Sequence, residues 1–278
     1  MQRCRRPAVA LPQACRVLPV MAVWMACLFA HAAWAGCSDA PGAGVDWTEC
    51  EKNRLVLRGA DLTGARMAGA AFDGTDLQGA KLSGIDLTHG SMDRARISGA
   101  DLSRSKLVQL NAYRGNFSRA DLTGADLSGL DLRGADFTSA WLESANLAGA
   151  KLDGAGFAFA VLAHADLSAA DARQCDFTSA NLGRATLKET RLVQATLNNA
   201  VLSHTVLAQT DLRGARIDRI KLDGASFGLA DWRSVQGAGL VFIKAKLEAM
   251  VFTRCRLVQP TFIDCDLSGV DFSQARLE

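Results

Sequence analysis

Few groups in this chain could do chemistry: a handful of histidines, eight cysteines and an aspartate that recurs throughout. Beyond residue 35 the histidines are His89, His164 and His204, and none stands with Cys, His or a carboxylate in a metal-ligand spacing. His164 and His204 are expected on one side of the molecule, but two ligands about two strand spacings apart make a poor metal site. There is no phosphate-cradling glycine loop and no serine in a nucleophile elbow. The aspartates Asp121, Asp126, Asp131 and Asp136 follow one another at intervals of five. A catalytic acid needs surroundings that set it apart from its neighbours, and a regular series supplies none. These residues predict a protein that is not an enzyme and needs no cofactor and no metal.

The interval of five decides which elements carry them. In SRADLTGADLSGLDLRGADF, from Ser118 to Phe137, large side chains recur at Leu122, Leu127, Leu132 and Phe137. Five residues of α-helix advance about 500°, which walks these side chains around the cylinder. Five residues of strand reverse the face each time. All can point to one side only if the chain turns a corner in every pentapeptide, winding into a solenoid. From Leu57 to Leu277 there are 45 such positions, and all but Ala112, Ala172 and Gly237 carry Leu, Phe, Ile, Met or Trp. The position two before is mainly alanine, as at Ala60, Ala120 and Ala165. A small side chain facing a bulky one fills a narrow interior at native density. Cys175, Cys255 and Cys265 occupy this small position and read as buried, inert side chains.

Stretches such as ADLTG from Ala60, ANLAG from Ala145 and ANLGR from Ala180 resemble the pentapeptide-repeat family. The resemblance implies an all-β fold, a right-handed quadrilateral β-helix with four pentapeptides per coil. About eleven coils are then expected over residues 56–278.

Ahead of them, Arg3, Arg5, Arg6 and Arg16, an apolar run and the small-x-small Ala33-Trp34-Ala35 make residues 1–35 an export signal, cleaved before Gly36. The run is shorter than the ~20 residues of a membrane span, so no stable membrane insertion is expected after cleavage. Without its four arginines, 27 basic groups face 29 acidic ones, a net charge of −2. So balanced a chain predicts no nucleic-acid partner. Residues 36–55 read as a cap on the first coil, plugged by Trp47. In an oxidising compartment Cys37 and Cys50 are expected to pair, a link contributing about 3 kcal/mol for so short a loop.

With twenty residues per coil, side chains twenty apart stack. One column reads Asp131, Lys151, Asp171, Arg191, Asp211, Asp231, and opposite charges at neighbouring-strand distance stabilise one another by roughly 0.2–1 kcal/mol. One branch of the family inhibits DNA gyrase with a rod that imitates the anionic duplex. These mixed columns and the export signal argue against a cytoplasmic DNA-mimic topoisomerase inhibitor. Trp141, Val161, Val201 and Val241, with Ile243 nearby and His164 and His204 alongside, form a less polar face expected to dock a protein partner or a second copy. Leu277 and Glu278 still keep the register, and Phe252, Phe262 and Phe272 enrich that end in aromatics, which predicts a homodimer through the C-terminal coils. The small residues at Ala112 and Gly237 suggest a dent, and a small-ligand or cell-wall-polymer binding module is the alternative function. The favoured expectation is an interaction scaffold of the periplasm or cell exterior.

Overall fold

The computed structural model describes residues 36–278; the expected signal segment lies outside them. The chain is an all-β solenoid. A short 3₁₀ turn, Gly36–Ser38, precedes the coils. Parallel bridges then link residues twenty apart, from Asp46↔Arg66 through Val251↔Asp271. Twenty residues are four pentapeptides, so the tube has four faces. Their outward columns pass through Asp61, Arg66, Ala71 and Asp76, here called the first to fourth faces.

Each pentapeptide follows one hydrogen-bonding scheme. In Ala120–Gly124, the amide of Asp121 donates to Ala100 O in the preceding coil (2.9 Å), while those of Leu122 and Gly124 donate to Trp141 O and Glu143 O in the following one (2.7 and 2.9 Å). The amide of Ala125 closes the corner on Leu122 O at 3.0 Å. The last residue of each pentapeptide, such as Gly124, has a left-handed backbone, φ running from +51° at Lys244 to +72° at Gly44. A positive φ at the third residue of a four-residue turn is the type II geometry that favours glycine. One amide per pentapeptide, that of Thr123 here, is left out of the ladder. The Asp121 side chain takes it, with Oδ1 accepting at 2.9 Å. Asn146 does the same for Ala148, Asp166 for Ser168 and Asn181 for Gly183. This acceptor role, alongside the charge, explains why the repeat places Asp or Asn before its large residue.

The core matches the expected pairing of large and small. Leu122, Leu127, Leu132 and Phe137 are fully buried, as are Ala120 and Ala140. Polar residues in the small position are also satisfied: the hydroxyls of Thr190 and Thr205 donate to Leu167 O and Leu182 O, at 2.7 and 2.8 Å. The thiols of Cys175 and Cys255 use the same bond, to Leu152 O and Trp232 O, so they act as threonine analogues as well as apolar filler. Cys265 repeats the bond to Phe242 O but is only half-buried.

The dents are filled. Ala112 and Ala172 are fully buried beside Phe117 and Phe177, the ends of a ring stack running through Phe137 and Phe157 at 4.8–4.9 Å. A side chain on Gly115 would meet the Phe117 ring at 2.7 Å, and one on Gly237 would meet Ile217 at 2.8 Å. Ala112 and Gly237 themselves are buried within the packed interior, so neither position is an open dent in the surface.

At the N-terminal end the coil register runs back to Asp46. Trp47 is buried as the plug, and Cys37 and Cys50 form a disulfide. Lys52 occupies a core slot: its Nζ lies 4.0 Å from the centre of the Trp47 ring and donates to Cys37 O at 2.6 Å. Burial pulls its pKa down from the usual lysine value. The disulfide fixes the carbonyl that receives this ammonium.

Near the other end the scheme changes. Three-residue strands β1 (Gln236–Ala238), β2 (Val241–Ile243), β3 (Arg256–Val258) and β4 (Thr261–Ile263) and a two-residue β5 (Arg276–Leu277) pair in parallel as β1-β3-β5 and β2-β4. After β3 the usual corner bond cannot form, because Pro260 has no N–H to donate. Beneath these strands Phe227, Trp232, Phe242 and Phe252 pack tilted or edge-on at 5.4–6.3 Å. Beside them, on the first and second faces, the ladder thins: no bridge joins Ser226 to Lys246, although Lys221 still bridges Val241. The amides of Leu222, Gly224, Phe227 and Leu229 make none of the inter-coil bonds that their counterparts Leu182, Arg184, Leu187 and Glu189 make.

Two outcomes follow from these bonds. Asp136→Ala, which strips the acceptor from the Thr138 amide, should cost about 0.5–1.5 kcal/mol in denaturant melts, and Asp136→Asn should restore most of it. Native-state hydrogen exchange should be faster at Leu222, Gly224, Phe227 and Leu229 than at their four counterparts two coils earlier.

Candidate interaction surfaces

The chemistry of this rod lies on its outside. No group of three or more metal-ligating side chains forms among the described residues. His164 and His204 do share a corner column, with Arg184 on the coil between them. Burial pushes the Cys255 thiol up to about 11 and raises that of Cys175 as well, which leaves both as inert thiols. Among the carboxylates, the Ser268 hydroxyl (2.6 Å) and amide (2.9 Å) hold Asp266 below the usual carboxylate range. The pattern is that of a structural acceptor repeated along the rod.

The first face gathers the residues expected there. Trp141 pairs with Val161, Val161 with Asn181, Asn181 with Val201, Val201 with Lys221 and Lys221 with Val241, in one column. Trp141 is 55% exposed. Val241, Ile243 and Ile263 are exposed in and beside the same column, and Val161 and Val201 are half-buried. His164 and His204 lie on the corner that bounds this face.

The sequence pattern did not single out Phe159. It is 61% exposed at the corner leading into Val161, with φ +61°. A large apolar ring is disfavoured there twice, by the left-handed backbone and by contact with water. That double cost was the available signal, since most such slots hold Gly, Arg, Ser or Gln. Leu229, 68% exposed at φ +62°, is a second case, beside the opened ladder.

The C-terminal aromatics divide. Phe252 is fully buried, stacked on Phe272 at 5.2 Å, and is not part of an accessible end. Phe262 and Phe272 are partly buried and meet edge to face at 6.2 Å, with Leu267 and Leu277 exposed nearby.

The third face is laced with ion pairs. Arg133 and Arg173 reach back to Asp131 and Asp171 at 2.6 Å, and Arg191 meets Asp171 from the next coil at 3.5 Å. The strongest pairs therefore join residues two apart in sequence, while the expected pairing between coils is the longer contact.

Comparison with known proteins agrees with this geometry. The profile of pentapeptide repeats matches overlapping segments from residue 53 to 228 and again from 241 to 278, leaving out the stretch around Gly237. No curated protein sequence matches significantly. Among solved structures, HetL, a pentapeptide repeat protein involved in heterocyst differentiation regulation in the cyanobacterium Nostoc sp. strain PCC 7120, is 24% identical. That alignment covers 89% of this chain and 94% of HetL, with a TM-score of 0.39. A second Nostoc PCC 7120 pentapeptide repeat protein is 42% identical over 31% of this chain and 72% of its own, with a TM-score of 0.30. QnrB1, a plasmid-mediated fluoroquinolone resistance protein, is 20% identical over 82% of this chain and 93% of its own, with a TM-score of 0.36. The repeat profile, the twenty-residue ladder and the inward pairing of large and small side chains agree: the chain belongs to the pentapeptide-repeat family.

Proposed function

We propose that this protein works by surface contact and not by catalysis, as an exported interaction scaffold that docks a protein on its first face. The observation carrying this reading is the run of exposed apolar side chains along that face. Trp141 and Phe159 sit at one end, and Val241, Ile243 and Ile263 at the other. Exposing them costs solvation free energy that the rod does not need for its own folding, since its core is already filled. Aromatic anchors are also the side chains that dominate binding energy at protein interfaces.

Export is supported by the basic start, the apolar run and Ala33-Trp34-Ala35, together with a cysteine pair suited to an oxidising compartment. No helix among the described residues is long and apolar enough to cross a membrane.

The test is affinity capture from the envelope fraction with the native chain and with Trp141→Ala, Phe159→Gly and Val201→Asp. Phe159→Gly removes the ring at a position whose backbone suits glycine, so folding should be kept. Trp141→Ala should weaken binding of the captured protein by about 2 kcal/mol, roughly thirtyfold. Unchanged partners and unchanged sedimentation in all three variants would remove the docking face. Recovery of the chain from the cytoplasm with residues 1–35 intact would remove the export reading.

A further inference from the structure

The C-terminal part of the fourth face carries a cluster of charge that the whole-chain balance conceals. In the four successive coil segments 213–219, 233–239, 253–259 and 273–278, the side chains include seven arginines, no lysine, and the carboxylates of Asp218 and Glu278. All seven arginines are exposed. Arg213, Arg233 and Arg254 line a shallow groove along one corner, together with the hydroxyl residues Ser234, Thr253 and Ser273. Arg216, Arg256 and Arg276 run down the face itself, and Arg219 stands at the far corner.

The pairing within this cluster is incomplete. Asp211 and Asp231, on the neighbouring third face, take Nε and Nη2 of Arg213 and Arg233, leaving each Nη1 uncommitted. The Nε of Arg219 and of Arg254 donates to an uncharged amide oxygen, of Asn199 and Gln274. Arg216 and Arg276 have no carboxylate within ion-pair distance. Arg256 meets Glu278 at 3.5 Å, yet it is also paired directly with Arg276 in the β3–β5 ladder. Like charges directly opposite across strands are destabilising. Glu278 is the one carboxylate paired there, so the two guanidiniums keep a net positive charge that an anion from outside can complement.

The kind of anion follows from the side chains. Guanidinium presents a planar fork that grips phosphate oxygens in pairs, whereas lysine acts as a point charge, and here only arginine is used. The cluster spans four rungs, about 15 Å, and therefore suits several linked phosphates better than one. No aromatic residue lies in any of the four segments, so stacked nucleobases have no platform here.

We propose that this arginine face binds a ligand bearing multiple phosphates, either a soluble phosphate polymer or a phosphate-rich headgroup surface. This site is separate from the protein-docking face and does not rest on it. Binding of long-chain polyphosphate, and of vesicles containing phosphatidylglycerol, should be titrated over a range of salt with the chain beginning at Gly36. Affinity for one or both should fall steeply with salt, since phosphate contacts release counterions. Arg256→Glu with Arg276→Glu should weaken it at least about tenfold and flatten the salt slope by roughly one per arginine lost. Lys106→Glu, on the second face, should leave it unchanged, and equal melting of all variants guards against misfolding. A response to polyphosphate alone assigns a soluble polymer, and a response to vesicles alone assigns a headgroup surface. Absence of binding to both, equal binding by the reversed variant, or tighter binding to duplex DNA than to polyphosphate overturns the proposal.

Discussion

The whole molecule depends on one spacing. Each coil must sit one hydrogen bond above the last, so every fifth residue is a strand residue at the rung separation of about 4.8 Å. That separation leaves room inside for one large and one small side chain per side, and it stacks the rings of Phe117, Phe137, Phe157 and Phe177 face to face at 4.8–4.9 Å. It also leaves one amide per pentapeptide outside the ladder, which the side chain of an Asp or Asn serves where the repeat places one. Core size, corner geometry and the recurring acid thus share a single cause.

The consequence is visible where the spacing fails. Phe227 and Trp232 pack tilted or edge-on against Phe242 and Phe252, and only those last two rings stack again, on Phe262 and Phe272. Two faces lose inter-coil hydrogen bonds while the other two keep them, Trp232 to Val251 O and Ser234 to Thr253 O among them. A tube joined on two sides and loosened on two has a direction in which it bends more easily. The most exposed apolar side chain in this region, Leu229, lies beside the loosened side.

The sequence pattern carried much of this. An unbroken register of bulky residues implies a cornered tube, and the Cys37–Cys50 pair and the Trp47 plug could be read from their position just before the first repeats. Other features escaped because they depend on which side chains become neighbours only after coiling. Gly237 looks like a defect until Ile217 is placed against it. Lys52 looks like a solvent-exposed lysine until the Cys37 carbonyl is brought above it. The aspartates looked chiefly like half of an alternating charge ladder. Their first partner is the backbone amide two residues on, a contact that spacing within the repeat allows but charge counting does not show. Phe159 was hidden for the opposite reason. A corner slot tolerates nearly any residue, so pattern alone gave no weight to a ring in it.

A filled, regular interior also determines where specificity can reside. With the core occupied from Trp47 to Leu257, recognition has to be written in the columns, one residue per rung, on faces that fold independently of what they display. The first face shows apolar groups and the fourth shows arginine near its C-terminal end, while the third neutralises itself. The same folding constraint governs all three, so their differences are not needed to form the tube. An excess of one charge gathered over four rungs, as the arginines around Arg256 and Arg276 are, therefore says more about a ligand than a matched pair on the rod does.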